Sequence, residues 1–226
     1  MQTSTQQDPL PAVLIALTVT TGLVDAVSFL GLGHVFTANM TGNVVFLGFA
    51  LAGFTELSAG GSLASLAAFL VGALLGGWLG TAMGGVSKGR WLLVAAYLEA
   101  AFHTAAAAFV LLFGQTGAMV YGVIILSALA MGLRNATVRR LAVPDLTTTV
   151  LTLTATGLAA DSSLAGGSNP RLGRRVASIL AMGIGAVLGA LLLRWGGLVP
   201  PLLLSAVVVL ITGILYARHP TAQTAA

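Results

Sequence analysis

Two short polar stretches interrupt an otherwise apolar sequence, and their side chains are the first candidates for chemistry. The stretches are HVFTANMTGN (34–43) and VPDLTTT (143–149). Asn, Asp and Thr cap helix N-termini, where free backbone N–H groups and a positive dipole end also attract polar ligands. Capping alone is one interpretation, but clustered polar groups are costly in an apolar environment. We therefore expect a binding site for a small polar or anionic solute, formed by Asn39, Thr41, Asn43, Asp145, Thr147 and Thr148, with Thr149 beside them.

Charged residues inside apolar segments are functional candidates by default, because ionised groups are costly in a membrane. Asp25 lies in GLVDA, and Arg134 and Asn135 lie in the similar GLRNA. Asp25 and Arg134 could pair, either structurally or as a pair that opens to receive substrate or a proton. Glu99 and His103 share one helix face, which suits interhelical hydrogen bonding or proton relay. We expect these four residues to gate or couple transport, and Arg134 and Asn135 to contribute to solute binding.

Metal and covalent chemistry receive little support from the same residues. Glu99 and His103 are too few ligands for a closed metal site and do not form the HExxH pattern. The absence of cysteine excludes disulfides, thiolate chemistry and Cys-based zinc sites. We expect no cofactor, no metal and no enzymatic activity. An intramembrane enzyme that uses Glu99, His103 or Asp161 is a weaker alternative, since no nucleophile–base spacing supports it.

The composition is typical of a membrane protein. Of 226 residues, 57% are hydrophobic and 7% charged, against about 25% charged in a soluble domain, and the mean hydropathy is +0.99. This balance excludes a soluble enzyme, and no basic cluster is long enough to follow a nucleic-acid backbone. Six apolar runs are long enough for spanning helices: 11–31, 62–84, 91–113, 118–141, 176–195 and 198–217. Two shorter runs, 43–54 and 150–160, are predicted to be half-helices.

The chain contains an internal repeat. Residues 64–79 match residues 177–192 at 8 of 16 positions without a gap. In the same order, GLVDA (22–26) matches GLRNA (132–136), and NMTGNVVFL (39–47) matches DLTTTVLTL (145–153). We predict two related halves of one membrane domain, 11–113 and 118–217, with a polar tail at 1–10 and a C-terminal tail at 218–226.

The distribution of cations selects a topology through the positive-inside rule. If all eight segments cross, the loop cations divide four to five, and no orientation is favoured. If the two short segments re-enter, Arg194 stands alone opposite eight others: Lys88, Arg90, Arg139, Arg140, Arg171, Arg174, Arg175 and Arg218. The sequence thus predicts an all-α transmembrane protein of two inverted three-helix repeats, each with a re-entrant half-helix, and both termini in the cytoplasm. Such repeats are typical of transporters with a midplane site.

Glycines at four-residue spacing mark helix faces made of small residues, which allow helices to approach closely. They are Gly72, Gly76, Gly80 and Gly84 in one half, and Gly185 and Gly189 in the other. Close packing of this kind could occur between the two halves or in a homodimer.

The stretches GLVDAVSFLGLGHVFTANMTGNVVFLG (22–48) and MGLRNATVRRLAVPDLTTTVLTLTATGLAADS (131–162) resemble the YoaK-like family of bacterial membrane proteins of unknown function. The motifs TANMTGN and PDLTTTVLTLTATGLAAD look like the most distinctive ones of that family, and the similarity covers nearly the whole chain. The resemblance implies a multi-pass protein of the bacterial inner membrane and supplies no substrate.

From the residues, we predict a transporter of a small polar or anionic solute that is embedded in the lipid bilayer. A passive channel is the main alternative within transport. A structural or partner-binding membrane protein is the alternative outside it, with the small-residue faces as its working surface.

Overall fold

A computed structural model describes residues 8–54, 56–114, 116–149 and 151–223. Within these ranges the chain is all-α, with no β-strand. Eight α-helices are described: α1 (Leu10–Gly31), α2 (Met40–Leu51), α3 (Ala59–Ala82), α4 (Lys88–Phe113), α5 (Gly117–Leu141), α6 (Thr152–Ala160), α7 (Leu172–Gly196) and α8 (Val199–Ala217). Short 3-10 turns follow α6 at Ser163–Ala165 and α8 at Pro220–Gln223. The predicted tail segments 1–7 and 224–226 lie outside the described residues.

The six predicted spans are confirmed as helices of 19 to 26 residues, apolar enough to cross a membrane. Their starts follow local capping chemistry. The Ser58 hydroxyl accepts the N–H of Gly61 at 2.9 Å, so α3 begins three residues before the predicted position. In the same way, the Thr116 hydroxyl accepts the N–H of Met119 at 3.2 Å at the start of α5.

The two short runs also form helices, and both are too short to cross a bilayer. At about 1.5 Å per residue, the 12 residues of α2 extend about 18 Å and the 9 residues of α6 about 14 Å, against about 30 Å of hydrocarbon. Helix α2 begins at Met40 and not at 43, because Oδ1 of Asn39 accepts the N–H of Gly42 at 3.3 Å and caps it. Of the predicted run 150–160, residue 150 lies outside the described residues.

Two linkers precede the short helices: the first linker, residues 32–39, precedes α2, and the second linker, with described residues 142–149 and 151, precedes α6. Each linker runs back along the long helix that it follows. Helix α1 ends at Gly31, yet the N–H groups of Thr37 and Ala38 reach the side chain of Asp25. Asp25 lies six residues before the end of α1, which is about 9 Å along the helix axis. In the second half, the Thr149 hydroxyl reaches Asn135, again six residues before the end of its helix. Each short helix therefore starts beside the interior of a long one.

Two glycines bring long helices into backbone contact between the halves. A Cβ on Gly22 of α1 would collide with the carbonyl oxygen of Met182 on α7. A Cβ on Gly132 of α5 would collide with the carbonyl oxygen of Phe69 on α3. Gly22 and Gly132 are 110 positions apart, and Phe69 and Met182 are 113 apart. The pairs α1–α7 and α3–α5 are therefore built with the same contacts at the offsets of the sequence repeat.

The predicted small-residue faces form the other side of these contacts. Gly72 and Gly76 of α3 lie against the backbone of α5, and Gly185 and Gly189 of α7 lie against the backbone of α1. These four glycines are thus occupied inside the chain, which agrees with packing between the halves.

The outer surface of the bundle is apolar. Large side chains such as Leu74, Trp78, Ile184 and Val187 are more than half exposed on α3 and α7. A soluble protein would not leave such a surface in water, whereas a bilayer covers it favourably. The long apolar helices therefore contact lipid.

Candidate functional site

The carboxylate of Asp25 fixes the first linker. Its Oδ1 atom accepts the N–H of Thr37 at 3.2 Å and that of Ala38 at 2.9 Å. These residues directly precede Asn39, the N-cap of α2. The partly exposed Asp25 side chain therefore stands at the positive end of a helix dipole, where a negative charge is favoured.

Asn43 stabilises the same linker from the other side. The Asn43 side chain is buried: its Oδ1 accepts the N–H of Phe36 at 2.9 Å, and its Nδ2 donates to the Phe36 carbonyl at 2.6 Å. The Ser65 hydroxyl of α3 donates to that carbonyl at 2.7 Å. Both ends of the Asn43 amide are thus used by the backbone, so Asn43 supports the linker.

Asn135 holds the second linker through a side-chain hydroxyl, where Asp25 holds the first through backbone N–H groups. Its Oδ1 accepts the hydroxyl hydrogen of Thr149, and its Nδ2 donates to the Met131 carbonyl at 2.8 Å. Asn135 lies 110 positions after Asp25, so corresponding residues of the two halves tether corresponding linkers. One tether is a carboxylate and the other a neutral amide.

Asp145 belongs to an ion-pair network at the start of α7, which differs from its expected place in the solute site. Its carboxylate lies 2.6 Å from Nε of Arg171 and 3.3 Å from Nε of Arg175. Arg175 also donates to Asp161 at 2.8 Å and to the Gly157 carbonyl at 2.6 Å, so it joins α6 to α7. The pairing is explained by α7 starting at Leu172, which brings these arginines over the second linker.

The first cavity, of about 770 Å³, lies between α1, α2, α6 and α7. It brings the two polar stretches together, as the sequence predicts, since Asn39 and Thr41 of the first and Thr149 of the second line it. Asp25 and Thr152 add a carboxylate and a further hydroxyl. Asn43, Asp145, Thr147 and Thr148 are not among the described residues of this lining.

An aromatic wall forms part of the first cavity. Phe29, Phe36 and Phe46 all line it, and they pack on one another. The ring centroids of Phe29 and Phe36 are 5.0 Å apart and those of Phe36 and Phe46 are 5.8 Å apart, both in stacked arrangements. The cavity therefore combines one carboxylate, several neutral hydrogen-bonding groups and three aromatic rings.

The second cavity, of about 1020 Å³, lies between α3, α5 and the second linker. Its lining corresponds to that of the first through the repeat offsets. On α3, the lining residues are Phe69, Ala73 and Gly77, and adding 113 gives the α7 residues of the first cavity, Met182, Ala186 and Ala190. On α5, the lining residues include Asn135, Ala136, Arg139 and Arg140, and subtracting 110 gives the α1 residues of the first cavity, Asp25, Ala26, Phe29 and Leu30. Thr147 also lines the second cavity, and Thr149 lines both.

Arg134 forms an ion pair with Glu99, and not with Asp25, the partner considered from the sequence. Its guanidinium donates to the Glu99 carboxylate, to the Leu17 carbonyl at 2.8 Å and to the Thr21 hydroxyl at 2.9 Å. Successive helix residues project about 100° apart, so Asn135 faces the second linker while Arg134 faces α1 and α4. The buried pair therefore ties together α1, α4 and α5.

His103 lies beside this pair, one helical turn after Glu99. The imidazole is fully buried, with Nε2 3.8 Å from the Glu99 carboxylate. As far as the described residues go, neither Glu99 nor His103 lines either large cavity. The residues described in the structure contain no group of three or more His, Cys, Asp or Glu side chains that could hold a metal ion.

Two arginines of the second cavity, Arg139 and Arg140, are not expected at a site, because in the sequence they figure only in the charge count. The internal repeat of the sequence would have identified these residues. Moving the cavity-lining positions of α1 by 110 residues identifies Asn135, Arg139 and Arg140 together.

Comparison with known proteins agrees with this architecture. The family model described as "Protein of unknown function (DUF1275)" matches residues 13–215. The relative named UPF0700 transmembrane protein YoaK, from Bacillus subtilis (strain 168), is 35% identical over 153 residues, which is 66% of this chain and 66% of the relative. No solved structure matches the chain. With its six long apolar helices, the protein is a multi-pass membrane protein, and it belongs to the DUF1275 family, the YoaK-like family of unknown function that its motifs resemble.

Proposed function

We propose that this protein carries a small polar solute across the membrane, through a passage between its two halves. The observation that most supports the proposal is the pair of cavities related by the repeat offsets, which share Thr149. A passage needs access from each side and a point where the two routes meet. The two cavities supply the routes, and Thr149 with its partner Asn135 supplies the meeting point.

Inverted halves would direct the two cavities to opposite membrane surfaces. The first cavity is lined by the C-terminal part of α1 and the second by the C-terminal part of α5. Three long helices, α1, α3 and α4, precede α5. If α2 re-enters without crossing, α5 runs opposite to α1, and the C-terminal ends of these two helices lie on opposite sides.

The re-entry of α2 and α6 is supported by their length and their linkers. Both helices are shorter than the hydrocarbon layer, and both linkers double back to positions six residues inside the preceding helix. With this topology, Arg139 and Arg140 lie on the same side as most other cations. The positive-inside rule assigns that side, and both termini, to the cytoplasm of a bacterial inner membrane.

The residues that line the first cavity indicate the charge of the solute. Among the described residues that line it, Asp25 is the one ionisable side chain. A carboxylate repels an anion and hydrogen-bonds a neutral or cationic solute. We therefore favour a polar solute without net negative charge over the anionic one that remained open from the sequence.

We assign gating to the buried side chains that connect helices, and coupling to the ionisable side chain that lines the first cavity. Arg134 and Glu99 tie α1, α4 and α5 together outside both cavities, so we assign them, with His103, to holding and releasing these helices. Asp25 lies in the first cavity and is the candidate for coupling. A passive channel would use the same passage without this cycle, and the proposal includes no catalytic reaction.

Cysteine accessibility tests the proposed passage, because the chain contains no native cysteine. Single variants Thr41→Cys, Thr149→Cys and Arg139→Cys are treated with a membrane-impermeant thiol reagent from either side of sealed vesicles. We expect Thr41→Cys to react only from the periplasmic side, Arg139→Cys only from the cytoplasmic side, and Thr149→Cys from both.

Ser127→Cys is the matched control, because Ser127 is buried in α5 at 1% exposure and should stay unlabelled. Labelling of Thr41→Cys and Arg139→Cys from the same side, or complete protection of Thr149→Cys, would contradict a passage. Simultaneous reaction of Thr149→Cys from both sides under all conditions would favour a channel over a carrier.

A further inference from the structure

The two halves use different chemistry for the same structural task. Asp25 and Asn135 stand at matched positions, and each accepts a hydrogen bond from the linker that precedes a short helix. A neutral amide performs this task in the second half. The negative charge of Asp25 is therefore more than linker tethering requires, although a charge placed in a low-dielectric region is costly.

Local groups offset this charge only in part. The N-terminus of α2, beside Asp25, supplies about half a unit of positive charge, and two N–H groups bond the carboxylate. The guanidinium of Arg134 is directed to Glu99, Leu17 and Thr21 instead. The described lining of the first cavity contains no Lys, Arg or His to balance the remainder.

The walls of the first cavity suit an organic cation. Phe29, Phe36 and Phe46 line it together with Asp25. Aromatic rings attract ammonium groups through their quadrupoles, most strongly where water is excluded. Asn39 and Thr41 offer neutral hydrogen-bonding groups to the rest of such a molecule.

We propose that the first cavity binds a small organic cation that carries an ammonium group, held by the Asp25 carboxylate and the Phe29–Phe36–Phe46 wall. This inference deepens the proposed transport function and rests on it for the claim that the cation is cargo. The volume of about 770 Å³ accommodates a ligand of several carbon atoms with water to spare. Arg139 and Arg140 line only the second cavity, so they do not compete at Asp25.

A pair of isosteric probes tests the proposal on the purified full-length protein in nanodiscs. Choline carries a quaternary ammonium, and 3,3-dimethylbutan-1-ol has the same shape with a neutral carbon in its place. Calorimetric titration should show choline binding at least about tenfold more tightly than the alcohol, as expected for a cation–aromatic contact reinforced by a carboxylate. Absent or equal binding of choline would overturn the proposal.

Two variants test whether the preference for choline over the neutral alcohol arises at Asp25. Asp25→Asn keeps an oxygen that can accept the N–H groups of Thr37 and Ala38, so the fold should persist while the tenfold preference is lost. Glu56→Gln is the matched control: it removes one carboxylate from an exposed loop, and the preference should remain. A preference that survives in a folded Asp25→Asn variant would overturn the assignment of this cavity.

Flux of labelled choline into proteoliposomes separates this inference from the proposed function. Charge-selective binding without protein-dependent flux supports the cation site and contradicts choline transport. Protein-dependent flux of a neutral polar solute, with no preference for choline in binding, supports transport and contradicts the cation site.

Discussion

The Thr149 hydroxyl donates a hydrogen bond to Asn135, and this contact holds the second linker where the two large cavities meet. Asp25 forms the corresponding contacts with Thr37 and Ala38 in the first half. Both linkers are thus fixed by a side chain from the interior of the preceding long helix.

Removing the Thr149 hydroxyl should weaken the attachment of the second linker to α5. Thr149→Val keeps the shape of the side chain but cannot donate to Asn135, and the lost hydrogen bond should cost about 1 kcal/mol of folding free energy. We expect solute flux to rise or lose its gating, measured in proteoliposomes. Thr152→Val is the control, because Thr152 lines the first cavity alone. Equal flux in the Thr149→Val variant and the unaltered protein would show that this contact does not gate.

Adding a methyl group at the helix contacts should separate the halves. Gly185→Ala places a Cβ against the carbonyl oxygen of Val19, and overpacking of this kind costs about 1–3 kcal/mol. Gly183→Ala on the same helix meets no atom within 4 Å and should be neutral or slightly stabilising. Thermal unfolding in detergent compares the two variants. Similar melting temperatures would mean that α1 and α7 do not pack as described.

A glycine-to-alanine substitution should also destabilise the contact between α3 and α5. Gly72→Ala meets the carbonyl oxygen of Leu129, whereas Gly77→Ala, on the same helix, meets open space. If the halves are built alike, Gly72→Ala lowers the melting temperature by about as much as Gly185→Ala does. A large effect in only one half would argue against equivalent packing.

Breaking the buried ion pair should destabilise the bundle strongly. Arg134→Met leaves the Glu99 carboxylate buried without its partner, which typically costs about 3–5 kcal/mol. Arg139→Met removes a cation from an exposed position and should change stability by less than about 0.5 kcal/mol. Unfolding in denaturant gives both values. If Arg134→Met is as stable as Arg139→Met, the pair does not hold α1, α4 and α5 together.

The sequence predicts the helices well because their signals are local. Apolar length identifies all six spans, and the polar stretches correctly precede the two short helices. The convergence of Asn39, Thr41 and Thr149 on one cavity brings together the two polar stretches that the sequence singles out. Even the shifted start of α2 has a local cause, the Asn39 cap.

The pairing of buried charges depends on helix rotation, which apolar helices do not reveal. Arg134 and Asn135 are neighbours in sequence, yet one faces Glu99 and the other Thr149. The pairing of Asp25 with Arg134, which the sequence allows, does not form for this reason. Asp145 shows a second limit, because its partners Arg171 and Arg175 lie 26 and 30 residues away and belong in the sequence to a basic loop.

The orientation of the two halves is tested most directly by single cysteines in the loops that follow the short helices. Glu56→Cys lies after α2 and Ser168→Cys after α6, and both positions are exposed. In right-side-out vesicles treated with an impermeant thiol reagent, inverted halves predict that Glu56→Cys reacts and Ser168→Cys reacts only after permeabilisation. Labelling of both from the same side would mean that α2 and α6 cross the membrane, and would contradict the inverted arrangement.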